Sequence, residues 1–199
     1  MADVFPTDPR SIRDRIRRYE RALQRELNAG YGRDGYGKRY VLGPLYLLLG
    51  DVDRALASFD WYVDAFPYDG GEPYQYLTWA LALFRGGRRP EAVHTLCPTM
   101  LQNVYLVPFV LGHHPRRLDI WHGSNWEWPE YAAEIPQALL QLWDAAALQW
   151  AREVSEHPTV TAKVGRYVDI HWQLKDEPRG PRRTALVRES LALRTAPML

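Results

Sequence analysis

The side chains able to hold a metal ion gather in one stretch of this 199-residue chain: His113, His114, Asp119, His122 and Glu127. Helical metal sites place two ligands on one face, as in His-x3-His, and no such pair occurs here. His113 and His114 are adjacent, and neighbours on a helix or strand point apart. The segment is therefore read as holding no metal, with a metal-dependent hydrolase built on His113–Glu127 as the alternative. Nucleophilic chemistry needs a nucleophile, a base and a group that orients the base. The chain has no Gly-x-Ser-x-Gly, no phosphate-binding loop and no His-Glu-x-x-His. Ser124, after Gly123, reads as a turn residue. The single cysteine, Cys97, excludes an intramolecular disulfide and, in its apolar run, reads as a buried thiol. No catalytic residue, no metal and no cofactor is expected.

The same stretch carries Trp121, Trp126 and Trp128 beside Asn125 and Glu127. Trp is enriched where binding energy concentrates, so this is a candidate interaction loop. The competing reading is that the indoles close a core across a long irregular connection.

The formal charge is +1 and 46% of the residues are apolar, enough for a real core and too many for a disordered chain. The charge is uneven. The first thirty residues are rich in arginine (Arg10, Arg13, Arg15, Arg17, Arg18, Arg21, Arg25), and so is the tail, so the middle is acidic on balance. Opposite ends and middle could attract each other, within the chain or between copies. Nucleic acid is not expected as a partner, because no reading element accompanies the basic face. A regulator using the basic terminal helices on nucleic acid stays open as a further alternative. The start of the chain lacks the charged-then-apolar pattern of a signal peptide. The run Tyr40 to Leu49 is interrupted by Gly43 and Pro44 and is too short to span a bilayer. A cytoplasmic protein without membrane association is expected.

Helices must position these groups. Asp8-Pro9 is a helix start, and Ile12, Ile16, Tyr19, Leu23 and Leu27 then mark one apolar stripe. Residues 30–37 read as a loop. A second helix is expected over about 39–49, ending at Gly50. A third starts after Asp51 and buries Ala55, Phe59, Tyr62 and Phe66. Pro73 opens a fourth, broken at Gly86-Gly87, and Pro90-Glu91 opens a fifth. One offset, 37 residues, separates Gly50 from Gly87 and Ala55 from Ala92. Recurrence at such a period is the signature of a repeat array. Residues 103–129 read as an irregular connection with one short helix, 129–156 as a helical hairpin, 160–174 as another helix, and 183–194 as a short last helix. No strand pattern appears.

Leu42, Gly43, Tyr46, Gly50, Ala55, Phe59 and Pro67 stand at the spacing of a tetratricopeptide repeat beginning at Tyr36, with Arg39 and Tyr62 as departures. Ala80, Gly87, Ala92 and Leu96 resemble a second unit. The segment Asn103-Val104-Tyr105-Leu106-Val107-Pro108-Phe109-Val110-Leu111-Gly112, with Gly123-Ser124, Tyr131, Leu142-Trp143, Leu148 and Trp150 after it, resembles the extension that ends the repeats in the suppressor-of-tumorigenicity-seven family and related bacterial repeat proteins. The resemblance implies an all-α, TPR-like array of helical hairpins, an α-α superhelix. Units are expected at about 36–69 and 73–103, a covering helix at the N-terminus and capping helices at 129–174. All of this forms one domain over 1–174, followed by a linker and helix at 175–199. It also implies a partner-binding groove on the first helices, lined by Tyr40, Pro44 and Leu47, then by Tyr74, Leu77, Leu81 and Phe84. The Lys, Asn and Arg clamp of the relatives that bind chaperone tails is missing. The expected activity is therefore that of a non-catalytic scaffold or adaptor for a protein or peptide partner, a helix or apolar peptide, with self-association as a further possibility. The N-terminal helix is the competing occupant of the groove.

Overall fold

The computed structural model describes residues 5–30 and 37–195. Tyr36, the start of the first repeat unit, and most of the expected 30–37 loop lie outside the described residues, as do residues 1–4 and 196–199. Every regular element among the described residues is helical: α1 (Pro9–Asn28), α2 (Lys38–Leu48), α3 (Val52–Ala65), α4 (Pro73–Arg85), α5 (Arg89–Gln102), α6 (Leu106–Val110), α7 (Pro129–Ala133), α8 (Gln137–Leu140), α9 (Ala145–Glu156), α10 (Pro158–Asp176) and α11 (Pro181–Thr195). The chain divides into two compact units, Met1–Ala92 with Ile135–Asp144, and Val93–Glu134 with Ala145–Leu199.

In the first unit the helix starts are local chemistry. Asp8 accepts a hydrogen bond from the Ser11 amide at 2.8 Å, and Asp51 from that of Arg54 at 3.1 Å. Helix α1 buries Ile12, Ile16 and Leu23 and packs on α2. Helices α2, α3 and α4 pack on one another. At Gly43 of α2 an added Cβ would sit 2.4 Å from the ring of Phe59 of α3. That ring is buried and stacks on Trp79 of α4, with centroids 5.4 Å apart and planes 12° from parallel. One aromatic ring thus fills the space between three helices, and only a residue without a side chain lets α2 come up to it.

The 37-residue recurrence has a geometric meaning. Gly50 and Gly87 both take the left-handed conformation, with φ of +75° and +76°. The amide after each glycine reaches back to an equivalent carbonyl, Asp51 to Tyr46 at 3.1 Å and Arg88 to Leu83 at 2.9 Å. Each helix therefore ends in the same six-to-one capping turn. Ala55 and Ala92 are both fully buried.

A polar hub closes the turn between α3 and α4. Asp69 receives the Arg39 guanidinium at 2.5 Å, the Tyr40 hydroxyl at 2.8 Å and the Gly71 amide at 3.0 Å. These donors outweigh the cost of burial and hold its carboxyl below the ordinary carboxylate range.

In the second unit α10 packs on α9 and α11, and α6 on α7 and α9. The expected hairpin over 129–156 is instead three helices, α7, α8 and α9, of which α8 belongs to the first unit. Pro136 caps α8 from outside, since its ring cannot continue the preceding turn. The last helix is longer than expected, 15 residues from Pro181. Cys97 is buried, and burial pushes its thiol up to about 11, so it stays protonated.

Replacing Gly43 with Ala forces the Phe59 ring aside. We expect a loss of about 1–3 kcal/mol, read as a lower midpoint in urea unfolding. An unchanged midpoint would refute the three-helix contact as a point of strain.

Candidate interaction surface

The seven expected groove residues, Tyr40, Pro44, Leu47, Tyr74, Leu77, Leu81 and Phe84, are all buried. The Tyr40 hydroxyl is taken by Asp69, and Phe5 lies edge-on against Tyr74 at 5.7 Å. These side chains pack inside the protein. The apolar surface presented outward lies elsewhere.

Part of it is in the expected Trp loop. Asn103, buried at the end of α5, directs its side-chain amide to two carbonyls of the loop, Trp126 at 2.6 Å and Trp128 at 3.0 Å. Its own Oδ1 accepts from the Tyr105 amide at 2.9 Å. The Tyr105 hydroxyl accepts from the Leu118 amide at 3.0 Å and is hydrogen-bonded to His122 Nε2, also at 3.0 Å. Glu127 accepts from the Gly123 amide at 2.8 Å and from Arg194 at 2.7 Å, and Arg194 also donates to the Tyr167 hydroxyl.

Trp121 is held differently. Its carbonyl accepts from His171 Nδ1 at 2.8 Å, and its amide donates to the His171 carbonyl at 2.9 Å. Its ring packs on the cluster of Ile170, Leu174 and Leu186, with the Arg183 guanidinium 5.3 Å away. Because Nδ1 carries the proton, His171 Nε2 accepts the Ser190 hydroxyl at 2.9 Å. Ser190 and His171 are only 5% and 1% exposed, so this hydroxyl–imidazole pair has no room for a substrate and secures α11 to α10.

The three indoles therefore divide. Trp121 is a packing residue. Trp126 and Trp128 are each 39% exposed, like Leu118 nearby. Arg117 lies over the Trp128 ring at 4.7 Å. A shallow cavity of about 220 Å³ opens beside Pro129, lined by Phe109, His114, Pro115, Ala132 and Ala133.

The metal-capable residues are not brought together. His113, His114 and Asp119 are exposed, with Asp119 paired to Lys175 at 2.5 Å, while His122 and Glu127 belong to the inner network. Among the described residues no three His, Cys, Asp or Glu side chains group as ligands. Sequence reasoning missed Tyr167, His171, Ser190 and Arg194. The available signal was the four-residue spacing within each pair, Tyr167–His171 and Ser190–Arg194, which puts each pair on one helix face.

Fold and surface together define an all-α, helical repeat-like protein. No family model matches the chain, and no curated protein or solved structure matches it.

Burial draws both His122 and His171 below the ordinary imidazole value of 6.5. A depressed folded value means the unfolded chain binds more protons, so stability is full above 6.5 and falls as pH drops below it. Acidification from about pH 7.5 to about pH 5 should lower the melting temperature. His171→Gln should remove part of that slope; an identical slope in the variant would show that His171 is not a contributor.

Proposed function

We propose that this chain is a non-catalytic protein-binding scaffold of the tetratricopeptide type, and that it takes an apolar protein or peptide segment on Trp126 and Trp128. One observation carries the reading: two large indoles stand partly in solvent although the loop backbone beneath them is pinned by the buried Asn103 amide. Side chains that only filled a core would turn inward, as Trp121 does. A partly exposed Trp on a fixed base has the chemistry of an interface hot spot, with an apolar face to bury and an indole N–H to satisfy. The neighbouring Arg117 and the small apolar cavity add complementary contacts.

The repeat-type assignment is supported by the 37-residue recurrence of the glycine-closed turns and by the contact of Gly43 with Phe59. In this reading Leu77, Leu81 and Phe84 maintain the array from inside rather than line an open groove.

Partners captured from the native host should be lost by the double variant Trp126→Ser/Trp128→Ser. Each hot-spot Trp contributes on the order of 2 kcal/mol or more, so binding should weaken by about thirtyfold or more. Circular dichroism and the melting temperature should match wild type. Retention of all partners by a folded double variant would place the interface elsewhere.

A further inference from the structure

The first unit carries a second surface, independent of the indoles. Helices α1 and α3 flank a cleft of about 590 Å³ whose floor is Leu42 and Tyr46 of α2. Leu23, Gln24 and Leu27 line one wall, and Ala57, Ser58 and Trp61 the other. A smaller cavity of about 320 Å³ continues it and shares Glu20, Tyr46 and Arg54.

The two banks have opposite charge. At 3.6 residues per turn, Arg10, Arg17, Arg18, Arg21 and Arg25 fall on the side of α1 away from Ile12, Ile16 and Leu23, and all five are exposed. Arg21 and Arg25 turn their Nε atoms onto carbonyls one turn back, at 3.0 and 3.2 Å, which leaves the outer edges of their guanidinium groups for other partners. Of the acids of α1, Glu20 and Glu26 fall off this face, and Asp14, on it, offsets Arg17. Glu20 accepts from the Tyr46 hydroxyl, Glu26 is paired with Lys38 at 3.0 Å, and Asp14 pairs with Arg17. On the other bank Asp53, Asp60 and Asp64 of α3 are exposed, and none is in an ion pair among the described residues. Asp60 acts on Arg88, but that guanidinium is held by both oxygens of Glu91.

We propose that this cleft is the contact face of a symmetric dimer of the chain. With the two-fold axis running along the cleft, α1 of each copy lies on α3 of the other. The arginines then face the aspartates twice over, and Leu27, Ala57 and Trp61 meet near the axis. The inner charges have the reverse signs, Glu20 on α1 and Arg54 on α3, so they too face opposites. An axis running across the cleft would set arginine against arginine, and charge excludes it. A two-fold contact is self-complementary and closes, so it yields a dimer and no filament. Its charges are at the surface, so its strength depends on salt.

The test is the mass of the full chain by sedimentation at about 100 µM. Dimer is expected in about 50 mM salt and monomer in about 500 mM. Arg21→Glu/Arg25→Glu should weaken the dimer at least about tenfold, because each reversal counts twice. Asp60→Arg/Asp64→Arg should do the same. Mixing the two variants should restore a dimer containing one of each, since both contacts are then complementary again. A monomeric wild type in low salt overturns the proposal, as does a dimer insensitive to either variant or a mixture that fails to pair. If the α1 variant keeps its mass but loses affinity for a duplex oligonucleotide, the arginines serve a polyanion and the proposal falls. Trp126→Ser/Trp128→Ser should leave the dimer intact, which separates this contact from the partner surface.

Discussion

The approach of α2 to the Phe59 ring at Gly43 is the constraint on which the first unit depends. Phe59 touches Gly43 on one side and stacks on Trp79 on the other, so its position fixes the spacing of α2, α3 and α4 at once. With those helices set, α1 has one apolar strip of α2 on which to lay Ile12, Ile16 and Leu23. The cleft beside Leu42 and Tyr46 is what remains between α1 and α3. An apolar contact thus decides where the charged banks stand, even though no charge takes part in it.

The second unit is organised by polar groups that burial forces to find partners. Asn103, His171 and Ser190 lie almost wholly out of solvent, and each is hydrogen-bonded. An unpaired buried polar group costs on the order of 1–3 kcal/mol, so such a network specifies one arrangement more sharply than apolar packing does. Here it ties a long irregular connection to the last two helices. The hydrolase alternative drew on the segment His113–Glu127, of which His122 and Glu127 are bonded within this network, while His113 and His114 face solvent.

Much of the fold was legible in the sequence where the cause is local. Asp8-Pro9, Asp51 and Pro73 announce helix starts because a cap acts within one turn, and Gly50 and Gly87 announce ends because few residues but glycine take that backbone. The break at Pro136 was legible in the proline itself and was missed because the apolar spacing runs on through it. Burial of Leu77, Leu81 and Phe84 was not legible, since apolar first-helix positions read alike whether they line a groove or a core. The bonds from His171 to Trp121 and from Arg194 to Glu127 join residues 50 and 67 positions apart, beyond the reach of any local pattern. The division of the indoles follows from those bonds.

Asn103 has a consequence for the entropy of association. A loop that must be ordered when it meets a partner loses backbone freedom at about 1–2 kcal/mol per residue. Here the backbone at Trp126 and Trp128 is already fixed from below by one buried amide. A ligand docking on the two rings would restrict little more than their side-chain torsions, and the ordering cost would have been met during folding.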